Sequence, residues 1–205
     1  MFYVIGHDAT VTRRLVEFLQ QSDFAGVIFT REAMQGTFRL EEAKIQTDRA
    51  PDVVMAFRWD DSRNQFGIPG MIDADWQRAA REGTHATLSR FDMHNTLIAV
   101  GPDFKSGATI DLPSGNVDLA PTILQILGIK SPQKLDGRIL SEAMTAAMPS
   151  GKAETERIEA TKHFQLGTWR QSLQISRVDS TIYLDEGNGT FVADERAANE
   201  LQRDR

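Results

Sequence analysis

Phe2-Tyr3-Val4-Ile5-Gly6, then Val11-Thr12-Arg13-Arg14-Leu15-Val16-Glu17-Phe18-Leu19-Gln20, then Gly26-Val27-Ile28-Phe29-Thr30 is the stretch whose reading decides the fold class. The first and last runs are β-branched and aromatic and are bounded by glycine, which predicts strands. Between them Val11, Leu15, Val16, Phe18 and Leu19 recur at helical spacing while Arg13, Arg14, Glu17 and Gln20 face out. Thr10 or Thr12 is the expected N-cap. Strand, helix and strand within about thirty residues make a βαβ unit, so the expected class is α/β with a mixed, mostly parallel sheet flanked by helices.

Working outward, Gly36 to Ile45 reads as an excursion of short strands and Asp52 to Trp59 as a further sheet strand. Asp60 to Gly83 is rich in turn formers and reads as a loop insertion spanning 59–83, with a short helix around Asp75 to Arg81. Long loops of this kind often wall a site. Thr96-Leu97-Ile98-Ala99-Val100 is an uninterrupted apolar run, the pattern of a buried strand. Asp118-Leu119-Ala120-Pro121-Thr122 starts a helix, with an acidic residue in the first turn and proline behind it; Leu119, Ile123, Leu124, Ile126 and Leu127 are its apolar face and Gly128 its stop. Asp136 to Leu140 leads into a brief helix, and Pro149-Ser150-Gly151 marks a boundary. Ala153 to Lys162 reads as a polar helix, Thr168–Ser176 and Thr181–Leu184 as a small C-terminal hairpin, and the tail from Asp194 as charged. The expected organisation is therefore an α/β domain over 1–148 and an appendage over 149–205.

Composition narrows the class of function. The chain has 205 residues, 40% hydrophobic and 25% charged, with a net charge of −6. Acidity leaves no footprint for nucleic acid. No window reaches the roughly 18 apolar residues of a membrane span. Met1 to Gly6 lacks the basic and apolar regions of a signal peptide and leaves the compartment open. The absence of cysteine removes thiolate ligands and a cysteine nucleophile.

His85 is the main candidate for chemistry. It follows Gly83-Thr84 and precedes Ala86, small residues that let a ligand or ion approach closely, and neutral imidazole is a common metal ligand. His94, beside Asn95, reads as a hydrogen-bonding edge residue; His7 in Gly6-His7-Asp8 sits at a strand end; His163 reads as solvated. Asp73 and Asp75 straddle Ala74 and offer oxygen to a hard cation, although charged loops look like this routinely. No zincin, nucleophile-elbow or P-loop spacing is present.

Taken together, Gly83-Thr84-His85, Gly101-Pro102-Asp103-Phe104-Lys105, Asp118 to Leu124, Leu127-Gly128-Ile129 and Asp136-Gly137-Arg138 resemble, in order and spacing, the C-terminal part of the alkaline phosphatase superfamily. The branch of type I phosphodiesterases and nucleotide pyrophosphatases is the nearest likeness, with the sulfatases close by. The resemblance implies a Thr or Ser nucleophile between two metals, usually zinc, and His85 matches the family's late metal-ligating histidine. Ala86 stands where the family usually has glycine. Thr84, Asp73, Asp75 and His94 are the candidate substrate wall.

The family's nucleophile, early metal aspartate and Asp-His-Gly pair have no counterpart in this chain. The expectation is thus the C-terminal portion of a metal-dependent phosphodiester or phosphoester hydrolase, acting on a phosphate- or sulfate-ester small molecule and inactive by itself, since catalytic zinc needs about three protein ligands. Such a portion would leave a sheet edge and apolar surface uncovered and prone to self-association. Two alternatives stay open: a non-catalytic α/β domain for binding or assembly, and a portion of a sulfatase-type hydrolase. The resembling family is often periplasmic or secreted.

Overall fold

Asp8 opens the first helix of the computed structural model, which describes residues 1–73, 87–146 and 151–194. The Asp8 Oδ1 accepts the amide N–H groups of Thr10 at 2.8 Å and Val11 at 3.1 Å, so the cap is Asp8 and not Thr10 or Thr12. The helix α1 (Ala9–Gln20) buries Thr12, Val16, Leu19 and Gln20 on one stripe. Ahead of it the expected strand does not form. Phe2 makes an isolated bridge to Val53, and the next donor that a ladder would use, the Val4 N–H, goes to the Asp52 carboxylate at 2.7 Å. Ile5–His7 then curls into a 3-10 turn through Gly6 (φ 66°) and His7 (φ 52°).

Strand β1 (Ala25–Thr30), buried at every position, is the middle of a three-stranded sheet whose edges are β2 (Phe38–Arg39) and β3 (Val53–Phe57). β1 runs parallel to β2 but antiparallel to β3, with a register shift between Ala25 and Val27. The class is mixed α/β, with antiparallel pairing predominating among the described strands, because the chain passes from β1 through β2 to β3 with no α-helix between them. Val16, Leu19, Ala25, Ile28, Val53, Met55 and Trp169 form the core beneath α1.

The segment expected to be loop from Asp60 contains a hairpin, β4 (Trp59–Arg63) and β5 (Pro69–Ile72). The Asn64 Oδ1 accepts from the amides of Phe66 and Ile68, and Gly67 takes φ 78°, which closes the turn. A short helix α2 (Arg90–Met93) follows, capped by the Ser89 hydroxyl, and α3 (Leu119–Ile126) starts where expected and ends before Gly128 at φ 64°. Its apolar positions are not buried: Ile123 is 53% and Leu127 62% exposed. The Thr96–Val100 run likewise forms no strand, and Ile98 and Val100 are 81% and 89% exposed.

The expected polar helix over 153–162 is instead strand β6 (Ala153–Phe164), the first of a meander with β7 (Gly167–Val178) and β8 (Thr181–Ala193). Two-residue connections make the neighbours antiparallel, and Asp179 supplies the positive φ (53°) of the second turn. Helix propensity favoured the other outcome for β6. What decides is pairing to β7 together with a two-residue period, Ile158, Ala160, Lys162 and Phe164 half-buried and Arg157, Glu159, Thr161 and His163 exposed. Of the described residues, 1–73, 87–94, 157–174 and 184–194 form one compact unit and 95–146, 151–156 and 175–183 a second.

Candidate functional site

Within the first unit, Asp73 and Thr87 are both held by the end of β3 and the residue after it. The Asp73 N–H donates to the Arg58 carbonyl at 2.8 Å, and Thr87 bridges to Phe57 in parallel register. Asp75, Thr84 and His85 lie in the segment 74–86, outside the described residues. The Asp73 carboxylate accepts from the Arg58 Nε at 2.5 Å. At 42% exposure this pair contributes about 0–1 kcal/mol. His94 is the C-cap of α2, exposed, with its amide on the Arg90 carbonyl at 3.0 Å. No hydrogen bond or ion pair among the described residues joins Asp73 to His94.

The anchor after the segment is tightly built. The Thr87 hydroxyl donates to the Asp92 carboxylate at 2.7 Å and accepts from the Ser89 amide at 3.0 Å. Arg90 lies 5.3 Å over the Trp59 ring and 4.9 Å over that of Phe91, and donates to Asp61 at 2.6 Å. The Phe91 side chain fills the space beside Gly70, where a Cβ would come within 2.7 Å of the ring. Thus Ser89-Arg90-Phe91-Asp92 clamps α2 against β4 and β5.

His85, the zinc ligand that the resemblance implies, lies outside the described residues. Among them no three His, Cys, Asp or Glu side chains are grouped to hold a metal ion, and Asp73 is committed to a guanidinium.

Two polar arrangements escaped the sequence reading. In the first unit Asp52, 4% exposed, holds the His7 Nδ1 at 2.7 Å and the Val4 amide at 2.7 Å, with the Arg31 Nε 3.9 Å away. Burial pushes the Asp52 carboxyl up, but these bonds and the nearby positive charges outweigh it and hold the group below its ordinary value. His7 is thereby oriented by a buried carboxylate from a strained backbone, an arrangement suited to holding an imidazole at a fixed angle. A strand-end histidine was the one signal for it in the sequence.

In the second unit Asp118 is fully buried and is a hub. Its Oδ1 accepts from the Arg138 amide at 2.8 Å, and its Oδ2 from the Gly115 amide and the Tyr183 hydroxyl, both at 2.9 Å. Arg138 forks onto Glu142 at 2.7 and 2.8 Å and donates to the Tyr183 oxygen and the Pro113 carbonyl. Burial opposes both charges of this pair, yet the two-pronged bond prevails. Glu142 is held below its usual range and Arg138 keeps its proton more firmly than usual. Gly137 has no room for a side chain, since a Cβ would lie 2.1 Å from the Val117 carbonyl oxygen. The motifs around Asp118 and Asp136-Gly137-Arg138 are one structural knot.

Burial and the bond to the Asp118 carboxylate push the Tyr183 hydroxyl up to about 12 from 10.0. A raised folded-state value contributes stability below pH 10.0 that is lost as pH rises towards about 12. Denaturant melts at stepped pH should show this alkaline loss in the parent. Tyr183→Phe should be weaker at neutral pH by about 1–2 kcal/mol, with the step flattened. A step of undiminished size in the variant would assign it to another group.

No protein-family model matches the chain, and no solved structure matches it significantly.

Proposed function

We propose that this chain is part of a metal-dependent phosphodiester or phosphoester hydrolase of the alkaline phosphatase kind, to which it supplies His85 as one zinc ligand. The observation that carries this reading is the Asp118 knot. Two of the motifs in which the resemblance lies, Asp118 to Leu124 and Asp136-Gly137-Arg138, close on each other: the buried Asp118 carboxylate accepts the Arg138 amide, and Gly137 packs with no room for a side chain. Two motifs matched by chance would have no reason to interlock.

The remaining ligands and the nucleophile come, in this reading, from a segment outside the chain. With it, Thr96–Val100 joins a mostly parallel sheet flanked by helices. Support comes from the apolar surface left open on one unit, Leu97, Ile98, Val100, Ile123 and Leu127. Apolar runs patterned for two-sided burial are normally covered.

Zinc titration and aryl-phosphodiester turnover of the chain and of His85→Ala test the reading, with an aryl sulfate as the arm for the sulfatase-type alternative. Weak zinc binding that drops by about tenfold or more in the variant is expected, since loss of a mere supporting partner already costs about 10–100-fold. No turnover is expected from the chain alone. Zinc binding indifferent to His85 would leave the non-catalytic binding domain as the reading. Turnover by the isolated chain would show a complete site and remove the need for an outside segment.

A further inference from the structure

The first unit holds a cavity of about 490 Å³. Its floor is the outward face of β6, β7 and β8. Along β7, Trp169, Gln171 and Leu173 point inward and are buried, so Arg170 and Ser172 point out. On β6 the exposed set includes Arg157, Glu159 and Thr161, and on β8 Gly187 and Gly189 are buried while Asn188 and Thr190 face the cavity. A polar sheet face is ordinarily just solvated. Here a wall turns it into a cavity. The Asn188 amide donates to the Trp59 carbonyl at 2.6 Å and accepts from the Trp59 N–H at 3.4 Å, which fixes Arg58 to Asp60 beside the sheet.

The pairing of charges inside decides what the cavity can take. Arg58 is matched by Asp73, and Arg157 by Glu159 at 3.2 Å and the Ser172 hydroxyl at 2.9 Å. For Arg170 no described residue offers a hydrogen bond or an ion pair. Among the described residues one guanidinium is thus open in a cavity also lined by the hydroxyls of Thr161 and Thr190 and by the carboxylates of Asp60 and Glu159, whose further lone pairs remain beside the bonds from Ser62 and Arg157. Those two carboxylates and the chain's net charge of −6 disfavour a polyanion. A phosphate monoester carries about two negative charges near neutrality, one more than Arg170 balances. An apolar ligand would cover the Arg170 guanidinium without offering it an acceptor.

We propose that this cavity binds a sugar acid, a small molecule with one carboxylate and several hydroxyls, its carboxylate forked onto Arg170 and its hydroxyls donating to Glu159 and Asp60 and accepting from Thr161 and Thr190. A planar carboxylate matches the guanidinium fork with two parallel hydrogen bonds. Sugar hydroxyls, being donors and acceptors at once, suit a wall of mixed sign. The proposed binding uses neither His85 nor a metal.

Calorimetric titration of the whole chain with glucuronate, glucose and inorganic phosphate tests the assignment. Glucuronate should bind saturably and about tenfold tighter than either of the others. Arg170→Gln should lose about tenfold, Arg170→Lys should fall between because charge remains without the fork, and Arg13→Gln on the outer face of α1 should match the parent. Circular dichroism of each variant separates lost binding from lost folding. No saturable binding of glucuronate overturns the proposal, as does undiminished binding by a folded Arg170→Gln. Glucose binding as tightly as glucuronate removes the role of the carboxylate. Phosphate binding as tightly reduces the site to a simple anion contact and overturns the sugar.

Discussion

Asp118→Ala is expected to be the most damaging single substitution in the second unit, costing roughly 3–6 kcal/mol. The removed carboxylate serves three donors, the amides of Gly115 and Arg138 and the hydroxyl of Tyr183, and Asp118 is 0% exposed. Each buried donor left unpaired costs about 1–3 kcal/mol, and a whole domain holds only about 5–15. The loss should spread beyond the site. Tyr183 also receives from the Arg138 Nε at 3.0 Å, so freeing the hydroxyl slackens the Arg138–Glu142 fork. Amide exchange gives the most direct reading: the Gly115 and Arg138 N–H groups should lose protection first. Asp118→Asn should cost less, because one amide oxygen still accepts while the NH₂ group faces a donor. If the Arg138 amide stays protected in Asp118→Ala, the knot is held by backbone contacts alone and the argument fails.

Trp169→Ala should be the largest loss in the first unit, about 3–5 kcal/mol. The ring is 0% exposed in the core with Val16, Leu19, Ile28 and Met55, and its Nε1–H donates to the Gly36 carbonyl at 2.9 Å. Gly189 is shaped to it: a Cβ there would stand 2.7 Å from the ring. The truncation therefore opens a cavity and leaves the Gly36 carbonyl without its indole partner. Trp169→Phe separates the two contributions, since it keeps most of the apolar volume and lacks the N–H. Urea melts should place it closer to the parent, about 1–2 kcal/mol below, with the slope unchanged. Equal midpoints for the two variants would mean that the hydrogen bond outweighs the packing.

These two residues mark where reading from the chain succeeds and where it stops. Trp169 belongs to an alternating stretch whose hairpin was legible, because period-two patterning and a turn residue that accepts positive φ, Asp179, are local properties. Asp118 was legible as the start of a helix and no more. Its partners, Gly115 aside, lie 20 and 65 residues further on, and no local pattern announces a hydrogen bond over that distance. The candidate site divides in the same way. His85 was named from small neighbours and a resemblance, whereas Asp73, grouped with it by proximity in sequence, turned out to be bound to Arg58 across a strand.

The sequence by itself determined the helices α1 and α3, the stop at Gly128, the C-terminal hairpin and the mixed α/β class, all of which follow from spacing and from backbone dihedrals that few residues tolerate. Tertiary structure decided the rest. Ala153 to Phe164 became a strand although its residues favour helix, because a neighbour offered a ladder for its amides and carbonyls and water does so less cooperatively. Phe2 to Gly6 failed to remain a strand because the Asp52 carboxylate, distant in sequence, took the Val4 amide. In each case the competitor for a backbone hydrogen bond came from far along the chain, and only folding brings such competitors together.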